Sequence, residues 1–341
     1  MILGIEDSRW DNYLSQMPLE MQDIYFTRQY YGLFKKSKDC IPEMFVYKDE
    51  KGNLGLYPFL KCSVEWKGLE EQYYDIETAY GYGGPIINTD NMDFFKEFEK
   101  EFLRYCQEEK IIAEFIRFHP CIKNENIFKK GIDILHNRFT VELDLTCEIQ
   151  DIWMHQISSQ NRNTIRKCYK NGLHVEQNNN YDNFIDIYYE TMRHVEADEF
   201  YYFNKDYFDA LRLDKSNILL EVIYEEKVIA AAIFMGYGNY FHYHLSGSRR
   251  EFIKLAPNNI LLWEAIRLAK QKGYRKMHFG GGRSDSCEDS LFMFKKHFSK
   301  HINDFYIGKR IHNSKVYHNL IEEWEQEHKE KAHILLQYRR K

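Results

Sequence analysis

Apolar residues recur along the chain in two spacings, and the spacings alternate in the same order twice. EMFVYKDEKGNLGLYPFLK (Glu43 to Lys61) has an apolar stretch ending at Tyr47, a charged turn with Gly52, and a second apolar stretch from Leu54. LLEVIYEEKVIAAAIFM (Leu219 to Met235) repeats this around Glu225, Glu226 and Lys227. Two strand-length stretches flanking a polar turn predict a β-hairpin, and the more continuous apolar second stretch predicts the more buried strand. The first hairpin is followed by YYDIETAYGYGGP, by Phe94, Phe95, Phe98 and Phe102 at helical spacing, and by IIAEFIRFHP. The second is followed by YFHYHLSGS, by Leu262, Ile266 and Ala269 on one helical face that Gly273 closes, and by RKMHFGGG.

Hairpin, strand, helix, strand thus occurs twice, which predicts a duplicated α/β (α+β) domain. The boundary falls just after the alternating strand FTVELDL (Phe139 to Leu145), giving one domain over 1–148 and a second over 149–341. The second ends in an amphipathic helical tail carrying Leu320, Ile321 and Trp324.

Composition narrows the partners. The 341 residues leave room for about two domains. With 52 acidic against 47 basic residues the net charge is −5, so no global field draws the chain to DNA or to anionic lipid, and any polyanion site is local. The longest apolar stretch, Val228 to Met235, is far short of the ~18 to 20 residues that span a bilayer, so no integral membrane association is expected. No basic, then apolar, leader opens the sequence, and seven cysteines without a CxxC pair disfavour a disulfide framework or a zinc ribbon. A cytoplasmic location is the expectation.

Four segments carry candidate chemistry. SSQNRNTIRKCYKNG (Ser158 to Gly172) reads as a helix with a Ser cap and a Gly stop, on which Arg162, Arg166 and Lys170 form one cationic stripe beside Lys167, with no acid interleaved. In an acidic chain that is a local site for phosphate or nucleic acid. FGGGRSDS (Phe279 to Ser286) ends a strand with glycines whose amides, around Gly281, can converge on a carbonyl oxygen or a phosphate, with Arg283 adding charge. It is not a Walker A loop, and GYGGP (Gly81 to Pro85) is not a dinucleotide fingerprint. LFMFKKHFS (Leu291 to Ser299) sets Lys295 and Lys296 among aromatics, which fits either a desolvated ammonium able to stabilise an oxyanion or a lysine snorkelling to solvent beside a core helix. His242 and His244 alternate along a strand without further ligands at metal spacing, so no metal is expected, while His244 is a candidate proton acceptor.

Taken together, RNTIRKCYKNG, PNNILLWEAIRLAKQKGYRKMHFGGG, LFMFKKHF and YYDIETAYGYGGP resemble the FemAB-like branch of the GNAT acyltransferase superfamily over most of the chain. The resemblance implies two tandem GNAT-like domains, each a mixed central sheet flanked by helices. It also implies transfer of amino acids from aminoacyl-tRNA to peptidoglycan precursors, or N-acylation of amino sugars and small amines in envelope and polysaccharide pathways. Carried over by position, the lysine that stabilises negative charge near the acyl donor falls on Lys295. Tyr243 falls near the substrate cleft, Tyr82 on a substrate-contacting tyrosine of the first domain, and Lys36, with Lys35 fitting almost as well, on a phosphate-contacting lysine.

The departures matter too. Phe203 stands four residues before Tyr207 where peptidoglycan-acting members carry arginine, Asn88 replaces the acid after Gly-Pro, and no long helical arm interrupts Asp151 to Leu219. The CoA pyrophosphate pattern is absent after YFHYHLSGS.

The expectation is therefore an N-acyltransferase acting on an amine of a cell-envelope or polysaccharide precursor, with a small-molecule, lipid-linked or nucleotide-linked sugar as acceptor. Lys295 and His244 are the expected catalytic residues. Lys36, Tyr82, Arg162, Arg166, Lys170, Tyr207, Tyr243, Gly281 and Arg283 are the expected substrate-binding residues. No tightly bound cofactor is expected; the donor is aminoacyl-tRNA or acyl-CoA as co-substrate. Two alternatives stay open, an acyl-CoA-dependent N-acetyltransferase of an amino-sugar nucleotide or small amine, and a non-catalytic protein that binds tRNA or a glycan precursor.

Overall fold

The structure, a computed structural model, describes residues 1–34, 40–66, 69, 71–128 and 131–339. The chain divides into two compact units, Met1–Asn137 with Asp304–Lys341, and Arg138–Asn303.

The first unit opens with β1 (Ile2–Gly4), α1 (Arg9–Ser15) and α2 (Arg28–Gly32). The first predicted hairpin follows as β2 (Cys40–Lys48) and β3 (Leu54–Val64), then β4 (Tyr73–Glu77), the short β5 (Ile86–Ile87) beside β3, α3 (Met92–Glu108) and β6 (Ile111–Arg117). The aromatic spacing of α3 holds for Phe94, Phe98 and Phe102, buried against the sheet with Tyr105, while Phe95 is half-buried, and Asn91 caps the helix start. Gly55 on β3 is required by that packing, since a Cβ there would lie 2.5 Å from the Phe98 ring.

The second unit contains most of β7 (Asp133–Asp144), α4 (Ile149–Asp151), a turn of π-helix over Ile152–Gln156, α5 (Ser159–Lys170), β8 (His174–Asn178), α6 (Asp182–His194) and α7 (Lys205–Leu213). The second hairpin, β9 (Asn217–Tyr224) and β10 (Lys227–Tyr237), leads to β11 (Tyr240–Ser248), α8 (Pro257–Gln271), β12 (Lys276–Gly281) and α9 (Ser290–Lys296). The predicted signals hold here as well. Ser158 accepts from the Asn161 amide at the start of α5, Gly172 stops that helix at φ +84°, and Gly273 takes φ +85° after α8. Leu262, Ile266 and Ala269 of α8 are buried, as is most of β10.

The two sheets share one plan. Strand order is β1-β2-β3-β4-β6 in the first unit and β8-β9-β10-β11-β12 in the second, antiparallel throughout except for a parallel last pair. In each, one further antiparallel strand closes the sheet. Ile307–Ile311, within β13 (His301–Ile311), pairs with Arg117 to Ala113 of β6, while Asp144 to Thr140 of β7 pairs with Lys276 to Gly281 of β12.

These last strands redraw the expected division into 1–148 and 149–341. FTVELDL pairs with β12 in the second unit's sheet and does not end the first domain. The C-terminal tail with α10 (Ser314–His328) returns to the first unit, where Leu320 and Trp324 pack with Ile112 and Ala113. Strand partners far apart in the chain leave no mark on local periodicity, so the exchange of closing strands has no signal in the sequence.

Cysteine usage also differs from the expectation. Cys40 and Cys62 stand directly opposite on β2 and β3, with Cα atoms 4.0 Å apart, and are joined by a disulfide, while five cysteines are free. The bridge is set by cross-strand register, which a 22-residue separation does not reveal.

Candidate functional site

The two parallel strand pairs end differently. In the first unit the β4–β6 ladder runs from Tyr74 opposite Ile111 to Glu77 opposite Phe115. It continues through the Thr78 amide to the Phe115 carbonyl and reaches a bridge between Gly83 and Phe118. In the second unit the β11–β12 ladder has three rungs, Tyr240 to His242 against Lys276 to His278, and stops. Beyond it β11 pairs only with β10 and β12 only with β7 among the described strands. A parallel pair that parts in mid-strand leaves backbone donors and acceptors facing the gap, which is where an extended ligand completes a sheet. The parting point is marked on both strands. Ile233 faces Leu245 and Phe234 faces Tyr243, so His244 is an extra residue in β11, and a register shift lies between His278 and Gly280 in β12. Bulges of this kind re-aim side chains and end pairing next to sites.

Lys295 is carried to the β12 bank by the short helix α9. Its Nζ donates to the Gly281 carbonyl at 2.7 Å and lies 5.7 Å from the centre of the Tyr243 ring on β11, with the side chain buried. Burial pushes this ammonium down to about 7; Asp289 pulls the other way, and the Arg138 guanidinium adds to the lowering. Tyr243 donates its hydroxyl to Ser246 Oγ at 2.6 Å, and burial raises its phenol to about 12.

Asp289 ties the glycine loop to the helix. Its Oδ1 accepts from the amides of Leu291 and Phe292, capping α9, while its Oδ2 accepts from the amides of Arg283 and Ser284. Arg138 on β7 donates to the carbonyls of Gly282 and Arg283. The glycines permit this close approach: a Cβ on Gly281 would lie 2.6 Å from the Phe139 carbonyl, and one on Gly282 2.4 Å from Asp289 Oδ1. Arg138, Asp289 and Ser246 carried no signal in the sequence, because each acts through a partner distant from it or through backbone atoms. The Arg283 side chain is exposed.

His244 belongs with Tyr207, whose hydroxyl and His244 Nε2 are 2.7 Å apart. Burial, with His242 adding to it, drops the imidazole to about 3, so it is neutral at working pH. Phe203 stacks on the Tyr207 ring with centroids 4.2 Å apart.

The cationic stripe divides in two. Arg162 turns its guanidinium inward, where Nη1 donates to the carbonyls of Trp153, Met154 and Ile157 and closes the end of the π-helical turn. Arg166 and Lys170 are exposed, and Arg166 lies over Trp153 in a separate groove whose lining includes neither Lys295, Tyr243 nor the glycines. Arg162→Ala is therefore expected to act on stability, losing about 1–3 kcal/mol from carbonyls left without a donor, as read by chemical denaturation.

Tyr82, in the first unit, meets Tyr25, His119 and Phe305 with ring centroids 5.4, 5.9 and 5.1 Å away. Lys36 and Lys35 lie outside the described residues.

Residues 159–287 match the acetyltransferase (GNAT) domain family. No curated protein sequence matches the chain. Among solved structures, the crystal structure of FemX is similar at 15% identity and TM-score 0.73, covering 94% of this chain and 99% of that one. The C-terminal domain of a putative lysylphosphatidylglycerol synthetase from Agrobacterium fabrum is similar at 14% identity and TM-score 0.54, covering 92% of each chain. A tandem GNAT protein from the clavulanic acid biosynthesis pathway is similar at 8% identity and TM-score 0.50, covering 90% of this chain and 97% of that one. The chain thus has the tandem GNAT fold in the form seen in FemX, as its sequence resemblance implied.

Proposed function

We propose that the protein is an N-acyltransferase whose acyl donor enters the gap between β11 and β12 and whose acceptor is an amine of a cell-envelope or polysaccharide precursor. The observation that carries this reading is the three-rung ladder with a buried lysine at its glycine bank. The matching ladder of the first unit runs on to its end, so the two halves of the duplication differ at this place.

In the reaction the amine nitrogen attacks the acyl carbonyl carbon, forming a C–N bond. The C–O or C–S bond to the carrier breaks, and the proton released by nitrogen passes to the departing group or to solvent. Negative charge collects on the carbonyl oxygen between these steps. The Lys295 ammonium is placed to meet that charge in a site where water does not compete. Tyr243 forms the opposite wall, and the neutral His244, held by Tyr207 and lowered to about 3, lies next along β11 as too weak a base to take the amine's proton.

The GNAT domain match and the FemX-like and lysylphosphatidylglycerol-synthetase-like folds support acyl or aminoacyl transfer. The test is a mass-spectrometric screen in which the full chain is given aminoacyl-tRNA or acyl-CoA with amino-sugar nucleotides, peptidoglycan precursors and small amines. A product heavier by one acyl group identifies the donor, and acylation with neither donor class would return the protein to the class of non-catalytic binders.

A further inference from the structure

The groove holding Arg166 plays no part in the chemistry above and has a distinct composition. Ile149, Trp153, Met154 and Trp263 line it with carbon, and it encloses about 490 Å³ while opening broadly to solvent. The Trp153 and Trp263 rings pack together with centroids 4.5 Å apart, and the Arg166 guanidinium lies 5.4 Å from the Trp153 ring centre. Met154 is 54% exposed, a large apolar side chain held out in water.

The helix that lends Arg166 to the groove is cationic on its exposed side. Arg166, Lys167 and Lys170 share the exposed side of α5, none pairs with a carboxylate among the described residues, and Ser159–Lys170 contains no acid. Arg267, across the groove, is already matched by Glu264. In a chain of net charge −5 this is a local concentration of unpaired positive charge beside an exposed apolar floor.

We propose that this groove docks the protein on an anionic phospholipid surface, with Met154 and the exposed edge of Trp153 entering the acyl boundary over the buried Trp263, and Arg166, Lys167 and Lys170 meeting the headgroup phosphates. Tryptophan, an extended apolar side chain and lysine or arginine at one level are the chemistry of a membrane interface. Single-stranded RNA fits less well, because base stacking needs an open ring face. Here Trp263 is buried, packed against Trp153 at a 53° tilt, and a guanidinium lies over Trp153. Among the described residues no helix is long and apolar enough to cross a membrane, so the association is peripheral. It does not depend on which acyl donor is used.

The test is flotation of the full chain with vesicles of phosphatidylcholine alone, or of equal parts phosphatidylcholine and phosphatidylglycerol, at low and high salt. The protein is expected to float with the anionic vesicles only, and less as salt rises. Arg166→Gln with Lys170→Gln should weaken partitioning about 25-fold, at roughly fivefold per cation. Met154→Asp keeps every cation and should also weaken it. All three sites are exposed, and circular dichroism confirms that the variants are folded.

Equal flotation with both vesicles, no flotation, or unchanged flotation of the double variant overturns the proposal. So does a tRNA-sized RNA bound through the same two cations without vesicle binding, which would make this an RNA site. Self-association abolished by Met154→Asp without vesicle binding would assign the groove to a second copy of the chain.

Discussion

Lys295→Ala is expected to lower turnover by about 100- to 1000-fold while leaving the acceptor's KM within a few-fold of the parent, the range seen when one oxyanion donor is removed. The asymmetry follows from where the ammonium sits. Its partner at rest is the Gly281 carbonyl at 2.7 Å, a neutral acceptor. It therefore has more to gain from a full negative charge appearing in the gap than from a ground-state ester. Equal loss in kcat and in acceptor affinity would make Lys295 a binding residue, and no loss in either would remove it from the reaction.

The pH profile separates two ways in which the same lysine could act. With its proton lost at about 7, a lysine acting as an ammonium gives a kcat that falls as pH rises through that value. A lysine acting as a base gives the opposite slope. Charge stabilisation predicts the falling limb, and Lys295→Ala should erase that limb along with most of the rate. A rising limb around 7 that disappears in the variant would make Lys295 the proton acceptor.

What could be read in the sequence was local. The α3 and α8 faces, the Ser158 cap, the Gly172 and Gly273 stops and the two hairpins follow from spacing and turn chemistry, and all appear where those signals put them. Lys295 was picked out by the family resemblance, since a lysine between Phe294 and Phe298 equally fits one that runs its stem along a core helix to solvent, and the structure buries it instead. What was not legible depends on register between distant strands. The exchange of closing strands between the units, the Cys40–Cys62 bridge and the three-rung ladder are set by pairings that periodicity does not encode. Arg162 shows the other limit. Its position on the cationic stripe was visible, but its guanidinium answers to three carbonyls exposed by a π-helical turn that no local rule predicted. The glycines were read for the amides they free, whereas the structure uses them to admit Asp289 and the Phe139 carbonyl and to present the Gly281 carbonyl.

Lys295 also destabilises the fold, and Lys295→Met should reveal by how much. The ammonium loses its proton at about 7 in the folded protein against 10.5 for the free group, so below 7 both states are protonated and the full cost of burying the charge is paid. Between 7 and 10.5 the unfolded chain holds the proton that the folded one has released, so stability rises with pH across that window. Above it the cost has gone. Methionine has similar length and no charge, so Lys295→Met should stabilise the protein by about 4 kcal/mol at pH 7, less whatever the loss of the Gly281 hydrogen bond takes back. The gap from the parent should close as pH approaches 10.5. Urea denaturation of both proteins from pH 6 to 10 measures it. A gap that stays constant, or widens with pH, would mean that the lysine is not the buried, easily deprotonated group on which the catalytic role rests. A gap that narrows as described, together with lost turnover, would identify a charge kept inside the protein at the expense of stability because the reaction needs it there.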